Sequence, residues 1–228
     1  MEWTEQEIQR ITETARRRTL KGNPESISNQ DRNHQTETEL AFERLVTLTD
    51  SVPPRTDCDV TFTPHESRPF LAVNKMTEGL TAADTTRLRG LWPVVNLPHH
   101  DACTDLISQN VQTEFIIDAS VLSALKEAQT ATGNDDRTND RKQEWLTTLA
   151  TSDNCTVYRA SSRLNFDLFI TDEAVFIGLY VPGYFDPDVD SSGILDIYVG
   201  SADPVFLDWA HGIFERYCES AERIELSV

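Results

Sequence analysis

Four potential metal ligands fall within five residues in His99-His100-Asp101-Ala102-Cys103. On a helix His99 and Cys103 stand at i and i+4 and share a face, a geometry in which imidazole and thiolate can hold zinc. Adjacent histidines point apart, however, and no second ligand cluster accompanies them. Pro98 suits the first turn of a helix, so the segment is read as a helix start and no metal is assigned. Asp186-Pro187-Asp188-Val189-Asp190-Ser191-Ser192-Gly193 places carboxylates at every second residue, as the start of a calcium loop does. The sixth and twelfth positions hold Ser191 and Ile197 where Gly and Glu are required, so this stretch is read as a solvated connection. Tyr180, Tyr184 and Phe185 lie close together, with Trp92 and Trp145 available from other elements. Apolar bodies with polar tips are the material of a small-molecule pocket, and equally of any core. Trp92, Tyr180 and Tyr184 are the pocket candidates. The chain has no GxSxG, P-loop, GxGxxG or HExxH, so no nucleophile, nucleotide or cofactor site is implied.

The elements that must position these residues follow from periodicity. Residues 4–18 have helical spacing with a thin apolar stripe through Ile8, Ile11 and Ala15, which calls for a helix partner and suggests self-association. Residues 19–39 are polar and read as a linker, and Leu40 to Thr49 as a second helix ended by Pro53-Pro54. Residues 1–50 are therefore set apart from a domain over 51–228. In that domain strands are expected at 59–63, 87–95, 113–117, 155–159 and 194–199, and helices at 69–80, 98–110, 120–129 and 141–150. In Arg163 to Val181 two apolar strands fold back around Thr171-Asp172-Glu173. Asp203-Pro204 supplies an N-cap and an N1 proline to a last helix expected to bury Phe206, Trp209, Ile213 and Tyr217. Such alternation is α/β, a mixed sheet with flanking helices.

At 228 residues and 39% hydrophobic, the chain can bury a full core. Its net charge of −18 opposes a broad phosphate-binding surface. Only Lys21, Lys75, Lys126 and Lys142 are lysines, a balance that suits a halophilic source. No apolar window is long enough for a membrane span and Met1 to Glu5 is no signal peptide, so a cytoplasmic protein is expected. The isolated Cys58, Cys103, Cys155 and Cys218 are read as free thiols.

With FDLFITDEAVFIGLY from Phe166 and DPVFLDWAHGIFERYCESAERI from Asp203, the order of elements resembles the C-terminal part of a family of archaeal winged-helix transcriptional regulators, the methanogenesis regulatory protein FilR middle domain. The resemblance spans about Val52 to Ile224. The hairpin is also similar to the second half of a phospholipase-D-type motif, in which a His-x-Lys strand leads through a turn to a Gly-Ser strand. Aligned on Gly178, Leu164 and Phe166 stand at the His and Lys positions and Leu179 follows the glycine, so the nucleophile and the phosphate-binding cation are absent.

These resemblances imply a phospholipase-D-like half-fold, preceded by an N-terminal helix and linker, that has lost its chemistry. A winged helix needs three helices and a wing, which residues 1–50 do not provide. Arg16-Arg17-Arg18 with Lys21 is read as a solvated helix end. The expected function is a non-catalytic sensor or interaction domain of a transcriptional regulator, binding a small apolar ligand, a partner regulator or a second copy. The alternatives are a DNA-binding regulator with a divergent recognition unit and a phospholipase-D-derived hydrolase. In the expected ligand site Tyr180 supplies a hydroxyl and Phe166 a wall, with Tyr184 and Trp92 beside them.

Overall fold

Strands that are apolar on both sides must be covered on both sides, and the chain supplies helices for each. The computed structural model describes residues 30–54, 56–63, 70–94, 96–130, 137–180 and 195–226. The elements run α1 (Gln30–Thr49), β1 (Asp59–Phe62), α2 (Leu71–Ala82), β2 (Arg87–Trp92), α3 (Leu97–Ser108), β3 (Gln112–Ile117), α4 (Ala119–Thr130), α5 (Arg137–Thr151), β4 (Cys155–Arg159), β5 (Phe166–Ile170), β6 (Val175–Tyr180), β7 (Leu195–Ser201), α6 (Pro204–Ser220) and β8 (Glu222–Ile224). The eight strands form one sheet in the order β1-β7-β6-β5-β2-β3-β4-β8. Pairing is parallel between β2 and β3 and between β3 and β4, and antiparallel elsewhere. The expected mixed α/β sheet is therefore the fold.

Alternation along the central strands sorts the core into two halves. On one side Phe166, Leu168, Ile170, Val175, Ile177 and Leu179 pack against Ala41, Phe42 and Leu45 of α1 and against Phe206, Ala210, Ile213 and Phe214 of α6. On the other, Phe169, Phe176 and Tyr180 join Leu88, Trp92, Phe115 and Val157 under α2, α3, α4 and α5. Every residue of β5 and β6 is buried.

The hairpin turn is tied to the rest of the sheet by the acidic residue at its tip. Asp172 Oδ2 accepts from the Thr86 amide at 2.6 Å and from the hydroxyls of Thr86 and Thr85 at 2.8 and 3.1 Å. Thr171 N–H bonds the Ala174 carbonyl at 2.9 Å and closes the turn. At the other end of the chain, Asp203 caps α6 by accepting from the Val205 amide at 2.8 Å, with Pro204 in the first turn.

Three expectations are corrected. The second helix begins at Gln30, ten residues before Leu40, because a helix can continue into a polar stretch with no apolar stripe to announce it. Its C-terminal half is part of the core, so Ala41, Phe42 and Leu45 belong with the sheet although composition groups them with the segment before it. On α6 the buried stripe is Phe206, Ala210, Ile213 and Phe214, with Trp209 and Tyr217 half-buried at its margin, and the short edge strand β8 has no counterpart among the expected elements. The helix expected at 4–18, with Ile8, Ile11 and the Arg16-Arg17-Arg18 cluster, lies outside the described residues. Among the described residues no helix is long and apolar enough to cross a membrane.

Candidate functional site

Asp167 sits between Phe166 and Leu168 in a strand whose neighbours are all buried, and its side chain is itself wholly buried. Alternation turns it to the side opposite Phe166, facing α2 and α3. Room for the carboxyl comes from its cross-strand partner Gly178. A Cβ there would lie 2.5 Å from Leu195 Cδ1 and 3.1 Å from both Asp167 Oδ2 and Met76 Cε. Two residues along the same strand, and on the same side, the Tyr180 hydroxyl donates to Asp167 Oδ2.

Above them runs the first turn of α3, which starts at Leu97 with Pro98 in its first turn. His99 Nδ1 lies 3.8 Å from Asp167 Oδ2, too far for a hydrogen bond, and its ring meets Phe169 edge-on at 5.8 Å. His100 points the other way, stacked on Trp145 at 4.9 Å and 13° and edge-on to Trp92 at 4.9 Å. Trp92 meets Phe169 at 5.5 Å. One continuous line of contacts thus runs from Trp145 through His100, Trp92, Phe169 and His99 to Asp167 and Tyr180.

This line is short of hydrogen bonds. Trp92 Nε1, both nitrogens of His99, both of His100 and Asp167 Oδ1 are buried without a well-formed partner. Six of the seven such atoms among the described residues are therefore in this one place. Burial sets the protonation. It lowers His99 to about 4, the Val73 backbone opposing, and lowers His100 to about 3, with His99, Arg141 and Lys142 adding to the shift. It pushes Asp167 up to about 8, the Tyr180 hydroxyl opposing, and raises the Cys103 thiol well above its usual range. At neutral pH the cluster is polar and uncharged, with a thiol and not a thiolate beside it, a set suited to hydrogen-bonded recognition and poor in nucleophiles.

His100 also borders the outside. Between α3 and α5 a cleft of about 180 Å³ is lined by His100, Asp101, Thr104, Asp105, Arg141, Glu144 and Trp145. Among the described residues no three His, Cys, Asp or Glu side chains are grouped to hold a metal ion.

Of the residues singled out from sequence, Trp92 and Tyr180 lie on this side of the sheet, whereas Phe166 is on the other, packed with Leu164 and Leu179 against α1 and α6. Phe166 pairs with Leu179, so Tyr180 has the opposite parity and the two rings cannot wall one pocket. The expectation that Tyr180 and Phe166 share a site is corrected accordingly. Tyr184 and Phe185, and the stretch from Asp186 to Gly193, lie outside the described residues. Sequence reasoning took His99 and His100 as a helix start and passed over Asp167. The available signal was a carboxylate on a strand with no polar face, opposite a glycine.

No curated protein matches the sequence. Among solved structures the chain is similar to TrmBL2, described as an archaeal chromatin protein with a novel mode of DNA binding, at 17% identity over 96% of this chain and 69% of that one, with a TM-score of 0.50. At that identity the likeness is one of fold alone. Nuc of Salmonella typhimurium, a phospholipase D family member, and NucT from Helicobacter pylori are each 14% identical over 74% of this chain, covering 98% and 99% of theirs, with TM-scores of 0.48. The sequence from residue 69 to residue 220, from the approach to α2 through the end of α6, matches the family of the methanogenesis regulatory protein FilR1 middle domain, and the chain belongs to that family.

Proposed function

We propose that this domain is the sensing module of a transcriptional regulator, working in the cytoplasm, and that it takes up a small molecule on the α2–α5 side of the sheet without transforming it. The observation that carries the reading is the set of six buried polar atoms that lack a well-formed partner along Trp92, His99, His100 and Asp167, where the Val73 backbone comes near His99 without meeting good hydrogen-bond geometry. Each such group costs about 1–3 kcal/mol when left unmatched, and a ligand supplying donors and acceptors relieves that cost. The aromatic surroundings favour a largely apolar body with a few polar points. A hydrolase is disfavoured because Leu164, Phe166 and Leu179, at the positions that would carry or adjoin the chemistry, are apolar and buried.

A second reading, DNA binding, draws on the fold shared with TrmBL2. Against it, Arg44, Lys75, Arg89, Arg141 and Arg159 each stand in an ion pair with a carboxylate. A partner regulator or second copy would engage the residues before Gln30, where the sequence sets Ile8 and Ile11 at helical spacing.

Thermal unfolding of the full chain against a panel of metabolites tests the sensing reading. A ligand at a hundred times its Kd should raise Tm by roughly 5–10 °C. Trp92→Phe, which keeps the ring body but removes the unmatched N–H, should diminish that rise. A panel in which no compound shifts Tm argues against the reading, and turnover of bis(p-nitrophenyl) phosphate by purified protein would overturn its non-catalytic part.

A further inference from the structure

The cleft between α3 and α5 carries an imbalance of charge and of hydrogen bonds that points to one class of ligand. Arg141 pairs with Asp101 across it. Asp105 and Glu144, both exposed at its rim, have no ion-pair partner among the described residues. His100 lines the same space while being only 3% exposed, and neither of its nitrogens has a partner.

We propose that the cleft binds a small organic ammonium ion bearing N–H donors, with His100 accepting from the ammonium and Asp105 and Glu144 supplying the counter-charge. This rests on the sensing reading and names the ligand class for it. An anion would meet the carboxylates of Asp105 and Glu144 in the lining, where among the described residues the one cation, Arg141, is already paired with Asp101; Lys142, whose charge also reaches His100, does not line the cleft. A dehydrated metal ion would need more ligands than are grouped here. A neutral alcohol would leave the carboxylates without a counter-charge. Burial keeps the His100 imidazole neutral, so one ring nitrogen offers a lone pair. Stacking on Trp145 fixes the ring, and the indole, which also lines the cleft, gives an alkyl portion an apolar wall. A volume of about 180 Å³ is that of roughly six waters, enough for a short aliphatic amine.

Calorimetric titration of the full chain with 1,4-diaminobutane tests this, with 1,4-butanediol and tetramethylammonium as controls. Saturable binding of the diamine is expected, with none of the diol and at least about tenfold weaker binding of the quaternary ion, which has no N–H to donate. His100→Phe, which preserves the stack, and the double variant Asp105→Asn with Glu144→Gln should each weaken the diamine by about tenfold or more. The double variant changes only exposed side chains and should leave Tm unaltered, so it keeps the test decisive if His100→Phe fails to fold. Absence of saturable binding, binding that the double variant leaves unchanged, or an equal response to magnesium chloride, the mark of a diffuse counter-ion atmosphere, overturns the proposal. If the diamine fails while some metabolite still raises Tm in the wild type and less so in Trp92→Phe, this proposal falls and the sensing reading stands. If both fail, both fall.

Discussion

Where α1 and α6 cover the sheet, β5 and β6 present Phe166, Leu168, Ile170, Val175, Ile177 and Leu179, and their surroundings are apolar. Where α2 to α5 cover it, the same two strands present Asp167, Phe169, Phe176, Gly178 and Tyr180, and the helix above adds His99 and His100. Residues one position apart have thus been given opposite tasks. The first face gains stability from burial alone, at about 1.5–3 kcal/mol for each large side chain. The second gives part of that gain back by burying polar atoms without partners. Such an expense is typical of places that do something besides hold the fold together.

The sharpest way to test that contrast is to remove a cover from the apolar face. Deleting residues 1–50 takes away Phe42 and Leu45, whose losses are worth about 2–5 kcal/mol each, comparable together with the whole stability of a domain. Cooperative urea unfolding should disappear, whereas deletion of residues 1–29 should leave it in place. A domain starting at Ser51 that unfolds normally would show that α1 is dispensable. Next in size, Phe166→Ala should cost about 3–5 kcal/mol by chemical denaturation and leave any ligand response unaltered, since its ring is on the far side of the sheet from Trp92 and Tyr180.

The polar face should instead declare itself through pH. Between the ordinary carboxyl value of 3.8 and the folded value of about 8, Asp167 holds a proton in the native state that the unfolded chain has released. Its contribution to stability is therefore complete below pH 3.8 and falls as pH rises through that window. His99 and His100 run the other way. Lowered to about 4 and about 3 from 6.5, they bind protons more readily unfolded, so their contribution grows as pH rises and is complete above 6.5. From these three groups a stability maximum is expected near pH 6.5, with a decline of about 1.4 kcal/mol per pH unit on the alkaline side towards 8. Asp167→Asn should flatten that decline, and an alkaline limb of unchanged slope would place the titration elsewhere. The smallest effect belongs to Tyr180→Phe, which removes one hydrogen bond to Asp167 and should cost about 1 kcal/mol.

The elements that show in the sequence are those whose side chains report their own burial. β5 and β6 are dense in β-branched and aromatic residues, β4 spans the same Cys155 to Arg159 that alternation suggests, and Asp203-Pro204 marks the start of α6 by two independent cues. Residues 30–39 gave no such report, because helical hydrogen bonding there continues without an apolar face. β8, three residues with two exposed, is held by pairing to β4 and not by its own pattern. The site was half legible. Trp92 and Tyr180 were identifiable as aromatics with polar tips, but which face each side chain takes depends on strand register, and register depends on where the turn after Ile170 closes. The pairing of Thr171 with Ala174 decides it. Asp167 was visible as an anomaly in an apolar run, and its meaning required the fold to bring α3 over it.

The end of β6 has a mechanical consequence. Tyr180 is gripped twice: its hydroxyl reaches Asp167 inside the sheet, while its carbonyl accepts from Arg44 of α1, whose guanidinium also holds Asp196 of β7 at 2.8 Å. Arg44 is one turn before Leu48 on the helix that leads back towards the N-terminal residues. It ties the lining of the polar cluster to α1, which covers the other side of the sheet. If the backbone of Tyr180 moves to accommodate an occupant, Arg44 must either follow or let go, and in either case α1 feels a load that began on the opposite surface of the sheet.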